Sequence, residues 1–116
     1  MTILIADDQK HARRSLRALV CATLPAAEVL EASSGLEALG LAASTRPELA
    51  ILDVRMPEPD GLSVAREIRS RWPETRILVL TADLAFAGEA LSAGADAFVA
   101  KWESPERLMS VLTSLL

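Results

Sequence analysis

The chain reads as an α/β fold, a doubly wound parallel sheet of five strands with helices on both faces. Three observations predict it. Short aliphatic runs recur at regular intervals, each followed by a longer segment of helical period, the alternation that βαβ units produce. Three of these runs, "ILIA" at 3–6, "AILD" at 50–53 and "ILVL" at 77–80, are apolar at nearly every position, as parallel strands covered on both faces should be. No linker, repeat or low-complexity tract interrupts the 116 residues, so residues 1–116 are expected to form one domain.

The expected strands are Thr2–Ala6, Ala27–Glu31, Leu49–Asp53, Arg76–Leu80 and Ala97–Ala100. After the first, "HARRSLRALVCATL" puts Ala12, Leu16, Leu19, Val20 and Leu24 on one stripe with the arginines opposite, which is an amphipathic helix. After the second, "SSGLEALGLAAS" carries Ser34 and, three residues on, Glu37, a capping-box signature; Leu36, Leu39 and Ala43 should turn inward. Asp60 can cap a third helix bearing Leu62, Ala65 and Ile68, which Pro73 terminates. Leu84–Ser92 is a short, Ala-rich and weakly specified fourth helix before Gly94. The last helix has Ser104 at its cap and Pro105 at its first position, then Leu108, Val111, Leu112 and Leu115.

Composition removes several classes of function. With 51% hydrophobic and 24% charged residues the chain is globular rather than disordered. A net charge of −4 argues against direct nucleic-acid binding by this domain, because neutralising phosphates needs clustered Lys and Arg. Arg13, Arg14 and Arg17, like Arg66, Arg69 and Arg71, are spaced as solvated helix faces. Cys21 is alone, so no disulfide forms within the chain. The apolar start, Ile3 to Ala6, is too short for a signal segment or a membrane span, and a cytoplasmic location with no membrane contact is expected.

In a doubly wound sheet, sites form outside the carboxyl ends of the strands. Strand one ends in Asp7-Asp8, strand three in Asp53, strand four in Leu80-Thr81-Ala82, and strand five runs "AFVAK" to Lys101. The chain holds six aspartates against ten glutamates, and half of the aspartates stand here; it holds two lysines against ten arginines, and one of the two is Lys101. Clustered carboxylates raise one another's pKa unless a cation compensates. Hard oxygen ligands without His or Cys nearby point to Mg²⁺. A carboxylate nucleophile, a hydroxyl donor, an ammonium and a hard cation together suit the receipt of a phosphoryl group.

These residues give the chain a resemblance. "ADD" at 6–8, "DVRMPEPDG" at 53–61, "TA" at 81–82, "AGADAFVAK" at 93–101 and the Ser104-Pro105-Glu106 helix start resemble, in order, the motifs of response-regulator receiver domains of two-component systems. The resemblance implies a CheY-like, flavodoxin-like sheet of order 2-1-3-4-5. It implies that Asp53 is the phosphoacceptor, and that Asp8, Asp53 and the backbone carbonyl of Arg55 bind Mg²⁺ directly while Asp7 acts through a water. Lys101 would pair with phosphoryl oxygens, Thr81 would shift to hydrogen-bond one of them, and Phe98 would be the switch aromatic that turns inward when Thr81 moves. The implied partners are a histidine kinase, a phosphotransfer protein or a small phosphodonor. The implied readout, and a possible homodimer surface, is the face made by the fourth helix, the fifth strand and the fifth helix. "VAKWESPERL" resembles receivers fused to helix-turn-helix effectors of the LuxR and NarL type.

Two rivals use the same residues. A haloacid-dehalogenase-like phosphatase also forms an aspartyl phosphate with Mg²⁺, but its Asp-x-Asp run supplies a second acid where this chain has Arg55, which cannot shuttle that proton. A phosphorylation-independent docking module would not need an intact acid, Thr and Lys set. A dinucleotide-binding reading fails because "ADDQKHARR" after the first strand has no Gly-rich fingerprint. Two further expectations concern the mouth of the site. Arg55 and Asp83, of opposite charge, are placed to pair across it, and Trp102, where relatives commonly carry proline or a small or acidic residue, is expected to be partly exposed.

Overall fold

In the computed structural model, which describes all of residues 1–116, the two-residue period of the strands sorts the core into two layers. The elements are β1 (Thr2–Ala6), α1 (Lys10–Thr23), β2 (Glu28–Ala32), α2 (Gly35–Thr45), β3 (Leu49–Asp53), α3 (Gly61–Arg71), β4 (Arg76–Thr81), a 3-10 turn (Leu84–Phe86), α4 (Ala87–Ser92), β5 (Ala97–Ala100) and α5 (Pro105–Leu115). All strand pairs are parallel and the sheet order is β2-β1-β3-β4-β5, the flavodoxin-like order. The order of strand addition across the sheet reverses between β1 and β3, so the crevice for a ligand opens there.

Alternate residues face opposite layers. Leu4, Ala6, Ala50, Leu52, Ile77 and Val79 pack with Ala38 and Ala42 of α2, Val64, Ala65 and Ile68 of α3 and Ala90 of α4. Ile3, Ile5, Leu49, Ile51, Leu78, Leu80 and Val99 pack with Leu16 and Val20 of α1 and Leu112 of α5. Each fully buried Ile or Leu, such as Ile51 or Leu78, contributes roughly 1.5–3 kcal/mol. The central strands are therefore the most deeply buried part of the molecule, and what stands at their ends is anchored in that packing.

Three helix starts form as the sequence predicts. Ser34, Asp60 and Ser104 accept hydrogen bonds from the N–H groups of Glu37, Ser63 and Arg107 at 3.1, 2.8 and 3.1 Å. The return bond of the capping box goes from Ser33 N–H to the Glu37 carboxylate at 2.8 Å, one residue earlier than the motif requires. The inward stripe of α2 also differs from expectation. Leu36 is 72% exposed and Ala43 is exposed, while Gly35, Ala38 and Ala42 face the sheet and Leu39 is half-buried. The reason is close approach: a Cβ on Gly35 would lie 1.8 Å from the carbonyl oxygen of Pro59, so the small residues, not the leucines, define the buried face. β2 begins at Glu28 rather than Ala27, because the Ala27 N–H closes a turn onto the Leu24 carbonyl. The expected fourth helix is a 3-10 turn followed by the six residues of α4.

Arg69 on α3 joins three segments. It donates from Nε to the Gly94 carbonyl, from Nη1 to the Pro73 carbonyl and from Nη2 to Asp96, at 3.0, 2.7 and 2.6 Å. Gly94 has φ +100°, and a Cβ there would also meet the Arg69 side chain at 2.7 Å. The solvated-face reading of Arg69 is thus incorrect: its guanidinium ties the turn before β5 to α3. Arg69→Ala is expected to lower stability by about 2 kcal/mol, as loss of charge-assisted bonds does, checked by the urea midpoint at unchanged m-value.

Candidate functional site

Register brings the predicted residues level. Ala6 pairs with Leu52, Asp53 with Leu80 and Thr81 with Ala100, so Asp7, Asp53, Thr81 and Lys101 stand along one edge of the sheet. Backbone bonds hold this edge: Asp7 N–H to the Ala32 carbonyl at 3.0 Å, Val54 N–H to the Leu80 carbonyl at 3.1 Å and Lys101 N–H to the Thr81 carbonyl at 2.8 Å. Asp53 is 4% exposed, Asp7 is as deeply buried, and Asp8 is exposed. The Lys101 ammonium donates to Asp53 Oδ2 at 2.9 Å and to Asp7 Oδ2 at 3.2 Å. The other oxygens accept from backbone: Asp7 Oδ1 from Gln9 N–H at 2.9 Å and Asp53 Oδ1 from Arg55 N–H at 3.3 Å.

The charges are unequal. Burial pushes the Asp53 carboxyl up, the Lys101 hydrogen bond and charge pull it down, and the charge of Asp7 pushes it up again; it stays above the usual carboxylate range. Burial alone would lower the Lys101 ammonium, but the bond and charge of Asp53 and the charge of Asp7 outweigh it and hold the amine above its ordinary value. One ammonium faces three carboxylates, which leaves surplus negative charge. Asp7, Asp8 and Asp53 each offer an oxygen, all within 4.8 Å of one another, with no nitrogen or sulfur ligand among them. Such a donor set fits a small, hard divalent cation.

Thr81 is buried, and its hydroxyl is engaged locally: it donates to the Asp83 carbonyl at 2.9 Å and accepts from Asp83 N–H at 3.0 Å. Phe98 is half-buried and packs on the α2–α3–α4 layer. Arg55 and Asp83 both line the mouth, yet no ion pair joins them. The expected pair is absent; Asp83 instead caps the 3-10 turn, its Oδ1 accepting from Ala85 N–H at 2.9 Å. Trp102, next to Lys101, is 61% exposed.

Sequence reading missed one group that touches the site. Arg13 donates from Nη1 to the Asp7 carbonyl at 2.9 Å and from Nε to Glu31 at 2.9 Å, and Arg17 donates to the second Glu31 oxygen at 2.9 Å. Burial pushes Glu31 up, but the bonds to Arg17 and Arg13 outweigh it and hold the carboxyl below its usual range. Arg13 therefore faces β2 rather than bulk water, while Arg17 reaches Glu31 from an exposed position. The signal available was their i, i+4 spacing, which puts two cations on the side of α1 that meets an acid ending the next strand.

The match to known proteins runs the length of the chain. A family model for the response regulator receiver domain matches residues 3–113. The chain belongs to the response-regulator receiver family. It is similar to the uncharacterized transcriptional regulatory protein YhcZ of Bacillus subtilis, 41% identical over 112 residues, 94% of this chain and 52% of that protein. It is also similar to the response regulator MprA of Mycobacterium avium, 40% identical over 118 residues, all of this chain and 51% of that protein. This receiver thus spans about half the length of the curated relatives it matches. Among solved structures, the response regulator TrrA of Thermotoga maritima in complex with Mg²⁺ and BeF superposes with a TM-score of 0.91 at 33% identity, covering 99% of this chain and 98% of that one. A LuxR-family two-component response regulator from Aurantimonas superposes with a TM-score of 0.90 at 32% identity, covering 98% of this chain and 83% of that one. The signal receiver domain of the response regulator NarL from Mycobacterium tuberculosis does so with a TM-score of 0.87 at 30% identity, covering 98% and 94%. Membership of this signalling family replaces the haloacid-dehalogenase reading. No helix of the receiver is long and apolar enough to cross a membrane.

Proposed function

We propose that this receiver is a phosphorylation-controlled switch with Asp53 as its acceptor. One observation carries the reading: a buried carboxylate at a rigid strand end, bonded to an ammonium at 2.9 Å, with two more acids close enough to share a cation. Asp53 attacks the phosphorus of a histidine-kinase phosphohistidine, a phosphotransfer protein or a small phosphodonor. The bond to the donor breaks as the bond to the Asp53 oxygen forms. Lys101 stays beside the incoming phosphoryl oxygens and neutralises part of their charge. Asp8, Asp53 and the Arg55 carbonyl would hold Mg²⁺, with Asp7 acting through water. When bound, that ion supplies charge neutralisation on the phosphoryl oxygens.

Thr81 has to leave its two bonds with Asp83 to reach a phosphoryl oxygen. That exchange couples chemistry to shape. The segment it releases leads into the 3-10 turn and α4, where Leu84 and Leu91 are exposed beside Phe98 in a shallow apolar depression. Loss of Thr81 from its turn frees the space into which Phe98 rotates, and the α4–β5–α5 face becomes the readout and the homodimer surface. A ligand shifts such an equilibrium only by its differential affinity for the two forms, and the phosphoryl bonds to Thr81 and Lys101 supply that difference. The whole protein is a cytoplasmic two-component regulator, and its likeness to LuxR- and NarL-type receivers supports a transcriptional output.

Acetyl phosphate with Mg²⁺ is expected to give a single phosphoryl adduct by intact-protein mass spectrometry, mapped by peptide to the β3 segment and absent in EDTA. An adduct on another segment, or one that forms equally well without the metal, would falsify the reading.

A further inference from the structure

We propose that Arg13 is a positioning residue for the metal-binding acids: braced by Glu31, it fixes the Asp7–Asp8 turn. The proposal rests on the reading of Asp7, Asp8 and Asp53 as the Mg²⁺ site.

Asp7 is held at every polar group. Its N–H bonds to Ala32, its carboxylate takes bonds from Gln9 N–H and Lys101, and its carbonyl takes one from Arg13 Nη1 at 2.9 Å. Asp8 is the opposite case. It is exposed, and its carboxylate has no hydrogen bond or ion pair of its own; it meets Asp7 and Asp53 only as part of the acid cluster. Its place relative to Asp53 is therefore set by the backbone that presents it. The carbonyl that Arg13 grips belongs to the peptide unit joining Asp7 to Asp8. A planar unit with its oxygen fixed has its N–H direction fixed too, and with it the path to the Asp8 Cα.

Arg13 can act this way because its own position is over-determined. Its side chain is 13% exposed, and its Nε is bonded to Glu31, whose other oxygen is occupied by Arg17. The guanidinium fork is planar, so fixing Nε on Glu31 at the end of β2 aims Nη1 at the Asp7 carbonyl. Helix α1, strand β2 and the acid turn are thus tied through one side chain. Groups that orient ligands from behind are worth about 10–100-fold in metal affinity.

A charge effect has the opposite sign, and this separates the two roles. As a nearby cation, Arg13 repels Mg²⁺, so removing it would tighten binding; as a positioner, removing it weakens binding. Arg17 carries the same charge and touches Glu31 but not Asp7, which makes it the matched control.

The test is calorimetric titration of Mg²⁺ alone into the chain. Arg13→Lys keeps the charge and loses the fork, and Glu31→Asp keeps the charge but shortens the brace; both are expected to weaken Mg²⁺ about tenfold, and Arg13→Met likewise. Arg17→Met, which leaves the Arg13–Glu31 and Arg13–Asp7 bonds in place, is expected to weaken it clearly less than Arg13→Met. Circular dichroism in EDTA verifies that each variant is folded; Glu31→Asp serves alone where Arg13 variants do not fold. Unchanged or tighter binding by the folded variants overturns the proposal. Absence of Mg²⁺ binding by the parent, or binding untouched by Asp8→Asn, overturns the metal-site reading and the proposal with it. Binding that Asp8→Asn weakens and Arg13→Lys does not removes this proposal only.

Discussion

Asp53→Asn is expected to abolish the phosphoryl adduct and, at the same time, to raise the melting temperature at neutral pH. The two effects have one origin. The fold holds the Asp53 carboxyl above its usual range, with burial as the largest cause, so the ionised form that the proposed attack would need is the form the folded state disfavours. Above that raised pKa the native state carries a buried charge at a cost the unfolded chain does not bear. Below the unfolded value of about 3.8 both states are protonated and the cost vanishes. The amide is nearly isosteric and carries no charge; its oxygen keeps the 2.9 Å Lys101 bond and only the long 3.3 Å bond from Arg55 N–H is given up. Its stabilisation should therefore be full at pH 7 and shrink as pH falls through the folded pKa toward the unfolded one. Thermal unfolding in EDTA at several pH values, beside intact mass after acetyl phosphate, measures both effects. A variant that melts below the parent at pH 7 sinks the electrostatic account, and one that still takes up phosphate on β3 sinks the acceptor assignment.

Gly61→Ala is expected to be strongly destabilising. A Cβ at Gly61 would lie 2.0 Å from the Asp53 carbonyl oxygen, 2.7 Å from its carbonyl carbon and 2.9 Å from the Val54 Cα. All three are backbone atoms at the end of a central strand, and Gly61 N–H bonds to the Val54 carbonyl at 3.0 Å, so neither side can retreat. Loss of about 3 kcal/mol or more is expected, at or beyond the upper end of the common range for overpacking, read as the urea midpoint. Gly40 and Gly88 are the internal comparison. Both lie in helices with nothing within 4 Å of where a Cβ would stand, and alanine at either should raise stability by about 0.5–1 kcal/mol. If Gly61→Ala behaves like Gly40→Ala, the close approach of α3 to β3 is not what seats Asp53.

The parts of the fold written in period and punctuation were readable from the chain. "ILIA", "AILD" and "ILVL" marked buried parallel strands, and Ser34, Asp60 and Ser104 marked helix starts, because backbone bonding and side-chain reach are local matters. So was the convergence of Asp7, Asp53, Thr81 and Lys101, since strands of similar length in a parallel sheet end together. What local pattern could not reveal was competition for a side chain. Leu36 and Ala43 look inward until Gly35 is found pressed on Pro59. Asp83 looks placed to meet Arg55 but turns back to cap the Ala85 N–H, and Arg13 looks solvated until Glu31 arrives from the next strand. Partners brought together by tertiary structure decide these cases, and spacing along the chain does not encode them.

The Lys101 ammonium bonds across 94 residues of chain to Asp7 and 48 to Asp53, and it follows β5, a four-residue strand at the sheet's edge. During synthesis the acids therefore emerge long before the one ammonium that bonds their carboxylates. Contacts so distant in sequence carry a loop-closure cost that local contacts do not. The last strand of the chain thus completes the electrostatics as well as the sheet. The amine therefore stands beside Asp53 only when β5 is in the sheet.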